Sequence, residues 1–209
     1  MFNEVGILYY VLGFFLGHFC GSIPSGLWLV KAFHGIDVRN YGSKNIGTTN
    51  VFRTVGTKTA VLVLLADALK GIVAVAVMNH CFQSSLLNVV TALGALLGHN
   101  YSLFLGFKGG KGVATALGLL IFLMPKVAVA SFAVWFVLVL FTRFVSLGSI
   151  VAAICTPLLA WYFNYPMSYV IFSVIAAFFV VIRHKDNIHR LLTGTESKIK
   201  PGNAKSITK

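Results

Sequence analysis

The chain has 209 residues, of which 57% are hydrophobic and only 11% charged, against about a quarter charged in an ordinary soluble domain. That balance excludes a soluble globular protein, and no polar stretch is long enough to form a separate soluble domain with chemistry of its own. The net charge of +12 comes from 17 basic and 5 acidic residues, but the basic residues sit in short connections between apolar runs, so they read as topology signals and anion-binding groups rather than a nucleic-acid surface.

The first apolar segment covers residues 5–30. Glu4 precedes it and Lys31 follows it, which is the pattern of an anchor with its N-terminus outside and not of a cleaved signal. Gly13, Gly17, Gly21 and Ser25 recur at every fourth position and make a flat stripe for close helix packing in lipid, while Pro24 is expected to kink the end of the helix. His18 reads as structural. The next stretch, residues 42–53, is polar. It combines glycines at 42 and 47 with Ser43, Thr48, Thr49, Asn45, Asn50, Lys44 and Arg53. Glycines let a backbone curl so that several N–H groups meet at one point, and hydroxyl, amide and guanidinium groups add donors, which is what a phosphate requires. An ordinary turn-rich loop is the plain alternative.

A second apolar segment spans 59–79 and holds Asp67 and Lys70 three residues apart, on one helical face. Ionisable groups at such depth are costly, so the pair is either functional or a lock between helices. A third segment spans 86–107 and carries the small pair Gly94 and Gly98. It runs into His99, Asn100, Lys108, Gly109, Gly110, Lys111 and Gly112, and a helix start rich in free amides beside Lys111 attracts an anion. This is not a Walker A loop: Gly112 follows Lys111, and Leu105 stands where that motif needs glycine. A positive turn that only fixes topology is the alternative here.

The fourth segment, 112–124, is short; as a helix it rises roughly 20 Å and crosses only part of a bilayer. Segments at 127–142, 148–163 and 167–182 follow, and Ser149 opens the sixth. The last polar cluster, 183–196, mixes Arg183, His184, Asn187, Arg190 and Glu196, and on a helix Arg183, Asn187 and Arg190 share a face. A purely electrostatic lipid anchor would not need its imidazole and amide groups. Beyond Glu196 the chain reads as a polar basic tail at 197–209, separate from a single transmembrane domain at 1–196. Cys20, Cys81 and Cys155 are scattered and have no metal-site spacing.

With the N-terminus outside and seven crossings, all basic residues except Lys70 and Lys126 fall inside, and the loops at 80–85 and 164–166 carry no Lys or Arg. The expectation is an all-α polytopic membrane protein with seven transmembrane helices, N-terminus outside and C-terminus cytoplasmic, with all three polar clusters at the inner face. The five carboxylates do not cluster, which argues against metal-dependent phosphoryl transfer. Neither GxSxG nor a His-x-x-x-x-Asp pair occurs. What remains is a basic, amide-rich pocket for two phosphates, suited to a reaction whose acyl group arrives already activated and needs positioning rather than a covalent nucleophile. A transporter of organic phosphates is the competing reading, disfavoured because the clusters lie on one side and no internal repeat is visible.

The clusters at 42–53, 98–115 and 183–196 resemble, in order, the three signature motifs of the bacterial acyl-phosphate:glycerol-3-phosphate acyltransferases. The first departs at Lys44, where the family usually has glycine. The resemblance implies transfer of an acyl chain from acyl phosphate to the 1-hydroxyl of glycerol 3-phosphate in the bacterial cytoplasmic membrane, giving lysophosphatidic acid and inorganic phosphate. It implies no cofactor, no metal, no acyl carrier protein or coenzyme A, and no nucleic-acid partner. By the family's pattern Ser43, Asn45, Gly47, Thr48 and Thr49 cradle the acyl phosphate, and Asn50 is a further substrate-binding residue. Arg53 and Lys111 hold the glycerol phosphate, Lys108, Gly109 and Gly110 belong to the same binding loop, and His184 and Asn187 with Ser149 orient the hydroxyl. The leaving phosphate is the expected proton acceptor, with His184 the alternative base.

Overall fold

A computed structural model describes residues 6–200 and 202, and every regular element among them is helical. The first apolar segment divides into α1 (Ile7–Ser22) and α2 (Ser25–His34). The break falls at Ile23 and Pro24, because proline excludes its predecessor from helical geometry and cannot donate to the preceding turn. A short 3-10 turn at Val38–Asn40 leads to the polar loop and α3 (Thr48–Val55), and Gly56, at φ 95°, turns the chain into α4 (Thr57–Phe82). The third apolar segment is helical as α5 (Ser85–Asn100) only to Asn100. Its remainder folds as a 3-10 turn at Leu103–Leu105 and a reversal at Gly106 and Phe107, both with positive φ. Then come α6 (Val113–Leu123), α7 (Pro125–Thr142), α8 (Val145–Tyr162), α9 (Met167–Arg183) and α10 (Lys185–Leu192).

The two small-residue stripes expected from the sequence pack against each other. Gly17 and Gly21 of α1 lie on the backbone of Thr91 and Ala95, and Gly94 and Gly98 of α5 lie on the backbone of Phe14 and His18. A Cβ at any of these four would overlap main-chain atoms, so only glycine permits the approach. The short helix α6 packs on α4 in the same way, with Gly118 against Ala68. An interior of Leu96, Leu119, Met124 and Phe172 joins α5, α6 and α9. A second cluster of Val30, Val51, Val55 and Val63 seats α3 on α2 and α4. The outer surface is apolar, with Ile7, Phe15, Val129, Phe141 and Trp161 all more than half exposed, as lipid contact requires.

Among the described residues four helices are long and apolar enough to cross a membrane: residues 7–34 taken through the break, α4, α7 and α8. A fifth results if α9 and α10, bent by 60°, form one broken span. By length, α5 with 16 residues and α6 with 11 fall short, so helix length and apolarity supply four or five crossings rather than the seven expected.

Candidate functional site

The loop before α3 is built around one side chain. Asn50 is buried; its amide donates to the carbonyls of Val38 (3.2 Å), Tyr41 (3.1 Å) and Asn45 (2.8 Å), and its Oδ1 accepts from the Ser43 N–H (2.8 Å). Asn50, expected to bind substrate, also borders the cavity, and these four hydrogen bonds shape the loop around it. Asn45 Oδ1 accepts from the Gly47 N–H (2.8 Å) and fixes the entry to α3. Lys44 has φ 56°, the left-handed conformation that glycine adopts without cost. A lysine in this conformation carries backbone strain. No side chain caps the first turn of α3. Thr48 Oγ1 and Arg53 Nε are buried donors without a partner among the described residues, and both residues line the same cavity. Burial lowers the pKa of the half-buried Arg53, while Glu196 pulls it up and Arg190 pushes it down.

The loop before α6 is clamped from two sides. Arg183 donates through Nε to the Gly110 carbonyl (3.1 Å) and through Nη2 to the Gly109 carbonyl (2.9 Å), and the Gly110 N–H donates to the His99 carbonyl (3.0 Å). Gly110 lies on the His99 ring with no room for a Cβ, and Gly112 takes φ 79°. This rigid backbone aims Lys111 into the cavity, where its ammonium donates to Asn187 Oδ1. Burial, with Arg190 nearby, lowers the Lys111 pKa to about 8. Lys108 is exposed, and Lys108, Gly109 and Gly110 do not border this cavity; the two glycines turn their carbonyls to Arg183.

The third cluster closes the site. His184 stands at the bend between α9 and α10, buried, with Nδ1 2.7 Å from the Val180 carbonyl. A carbonyl only accepts, so Nδ1 carries the proton and Nε2 is left as an acceptor. Asn187 bridges: its Oδ1 receives Lys111 and its Nδ2 donates to Glu196 Oε1 (2.8 Å). Ser146 Oγ donates to the same oxygen (2.8 Å), and Arg190 Nε donates to Glu196 Oε2 (2.7 Å). Burial pushes the Glu196 pKa up, but the hydrogen bonds from Asn187, Ser146 and Arg190 outweigh it, and the carboxyl stays below its ordinary range. Ser149 Oγ donates to the Val145 carbonyl (2.9 Å) and leaves its lone pairs toward the cavity it lines. Sequence reasoning placed Glu196 only at the edge of its cluster; its value as a buried carboxylate depends on Ser146, which no local pattern links to it.

Ser43, Asn45, Gly47, Thr48, Thr49, Arg53, Lys111, Ser149, His184 and Asn187 thus border one cavity of about 270 Å³. Its polar end lies among α3, α10 and the loop before α6. Its other end is apolar and runs between α6, α7, α8 and α9 past Leu120, Phe132, Trp135 and Phe172. At its side lie Asp67 and His99. Asp67 Oδ1 is 2.8 Å from Lys70 Nζ and 3.7 Å from His99 Nδ1, Lys70 also donates to the Ile23 carbonyl (2.8 Å), and His99 Nδ1 is 3.2 Å from Thr115 Oγ1. Among the described residues no group of three His, Cys, Asp or Glu is placed to hold a metal. The lining is cationic and rich in donors at one end and apolar at the other.

The family model "Glycerol-3-phosphate acyltransferase" matches residues 11–194. Glycerol-3-phosphate acyltransferases from Synechococcus sp. (strain JA-3-3Ab) and Fusobacterium nucleatum subsp. nucleatum are each 47% identical to the chain. Both alignments cover 88% of it, and 90% and 95% of those proteins respectively. Two crystal structures of PlsY (YgiH), an integral membrane glycerol 3-phosphate acyltransferase, superpose on it. The glycerol 3-phosphate form has a TM-score of 0.87 at 40% identity over 91% of this chain and 96% of that one. The lysophosphatidic acid form has a TM-score of 0.83 at 38% identity over 90% and 94%.

Proposed function

The chain belongs to the glycerol-3-phosphate acyltransferase family, and from that premise we infer that it is a multi-pass bacterial membrane enzyme that acylates the 1-hydroxyl of glycerol 3-phosphate with acyl phosphate as donor. Family membership sets aside the transporter alternative. The observation that supports the donor and the residue roles is the convergence of Arg53, Lys111 and His184, from three distant segments, on one cavity with a polar and an apolar end. In this reading the acyl chain lies in the apolar end. The acyl phosphate group meets Ser43, Asn45, Gly47, Thr48 and Thr49, and Arg53 with Lys111 neutralises the glycerol phosphate.

The chemistry then needs no covalent intermediate. The substrate hydroxyl oxygen attacks the acyl carbon, the bond from that carbon to the phosphate oxygen breaks, and the departing phosphate takes the hydroxyl proton. His184 Nε2 and Ser149 Oγ are acceptors that orient the hydroxyl, and Asn187, held by Glu196, keeps Lys111 on the phosphate. Catalysis is positioning plus charge stabilisation in a water-poor site. Purified protein in detergent, given palmitoyl phosphate and glycerol 3-phosphate without added metal, is expected to release inorganic phosphate and form lysophosphatidic acid in equal amounts; no release would sink the reading. His184→Gln is expected to lower kcat on the order of tenfold while keeping the shape of the acid limb. Loss of that limb would make His184 the base instead.

The positive-inside pattern further supports seven crossings with the N-terminus outside and the site facing the cytoplasm, residues 1–196 forming one acyltransferase domain. In this arrangement α5 and α6 cross where packing on α1 and α4 shields their short length.

A further inference from the structure

Residues 196–200 and Gly202 run along the polar end of the cavity and are fastened to both of its sides. Glu196 is held by Ser146 of α8 and by Asn187 and Arg190 of α10. The Ser197 carbonyl accepts from Arg53 Nη2 (2.6 Å), the Ile199 N–H donates to the Arg143 carbonyl between α7 and α8 (2.8 Å), and the Gly202 N–H donates to the Phe52 carbonyl of α3 (2.9 Å). Gly202 lies on the main chain of Arg53 and Thr54, where a Cβ would overlap the Arg53 carbonyl. Ser197, Ile199 and Gly202 follow the polar cluster at 183–196, and the whole segment lies beyond residues 11–194 that the family model spans. The helix α3 packs on α2, α4 and the turn at Val38–Asn40 but has no comparable packing on α8 or α10. Arg53 therefore faces the other half of the site from a helix anchored only on its own half.

We propose that this segment is a strap that positions Arg53, through the Ser197 carbonyl and the Gly202 seat, so that its free N–H groups meet the phosphate of glycerol 3-phosphate. The inference rests on the substrate reading given above. A guanidinium has five N–H groups in a fixed fork, and Ser197 takes one of them. Arg53 Nε is a buried donor with no partner among the described residues. Holding one corner of the fork leaves the Nε side available for a bidentate phosphate contact and removes rotamer freedom before the substrate arrives. The strap thus acts on binding of one substrate rather than on the chemical step.

Steady-state kinetics of the purified full chain with palmitoyl phosphate and glycerol 3-phosphate test this with two independent releases of the strap. Gly202→Val removes the seat on α3, and Ile199→Pro removes the N–H that holds Arg143. Each is expected to raise KM for glycerol 3-phosphate about tenfold, the loss of one charge-assisted contact, with kcat and the KM for palmitoyl phosphate changed less than about twofold. In an Arg53→Lys background neither substitution is expected to raise KM further, since the planar fork they position is gone. Parental KM in both variants, or the same rise with Lys at 53, overturns the proposal, as does a fall in kcat and Tm without a selective KM change. A parent chain with no turnover would instead refute the substrate reading, and parental kinetics in Arg53→Lys would remove Arg53 from the phosphate site.

Discussion

Lys111 shows how much of the site depends on one atom's surroundings. The sequence offers two lysines three residues apart in the same glycine-rich turn, and residue type alone gives both the same claim on a phosphate. The fold separates them: Lys108 is exposed, and Lys111 enters the cavity because Arg183 and the His99 carbonyl fix the glycines before it. Burial then lowers its pKa to about 8. The protonated form is the one that binds phosphate, so kcat/KM for glycerol 3-phosphate is expected to fall as pH rises through about 8 in the free enzyme. Lys111→Arg should carry that alkaline limb out of range at a lower plateau, because arginine stays charged but its planar fork differs in shape. Lys111→Ala should lower kcat/KM by roughly 10²–10³-fold through loss of charge at a desolvated phosphate. A pH–rate profile of the three proteins checks all of this, and an unmoved limb in the arginine variant removes Lys111 from it. Other residues were only half legible. Asn50 reads as a phosphate donor from its neighbours, yet its amide ties the loop together, since four partners at Val38, Tyr41, Ser43 and Asn45 reach it first.

At the scale of elements, α4 carries a pair whose role the sequence left open. Asp67 and Lys70 contact each other as their spacing predicts, but the decisive partner is on another helix: Lys70 also satisfies the Ile23 carbonyl, one of those freed where Pro24 breaks the first span. The pair therefore joins α4 to that break, with both side chains buried. Removing one member strands a buried charge, which costs about 3–5 kcal/mol, whereas removing both costs much less. Lys70→Met is accordingly expected to lower the thermal midpoint in detergent more than the double substitution Asp67→Leu with Lys70→Met, measured by a thermal-shift series. Equal midpoints would show that the ion pair does not hold the helices. Close packing at each glycine stripe was legible, because a glycine at every fourth position has few other uses in lipid, but that the stripes of α1 and α5 meet each other came from the structure.

Over the whole molecule, helix length and charge pattern give different counts. Length and apolarity supply four or five crossings, while the distribution of basic residues supports seven. Cys81 provides a native probe: it is exposed in the last turn of α4, the end of that helix that the seven-span topology places outside. A membrane-impermeant maleimide is expected to label Cys81 in intact cells, and Ser197→Cys only in inverted vesicles; the reverse pattern would invert the topology. What the sequence determined by itself is the helical membrane character, the break at Pro24, the glycine seams and the residue types of three polar clusters. All of these follow from solvent transfer, backbone sterics and spacing within a few turns of chain. Tertiary structure alone decided which of two lysines faces the cavity, that Glu196 is anchored by Ser146 and Asn187, that Arg183 clamps a loop instead of a substrate, and that Ser197 and Gly202 reach Arg53. Each of those outcomes depends on a partner from a separate part of the chain, and which distant groups meet is set by how the helices pack together, not by the residues that flank them.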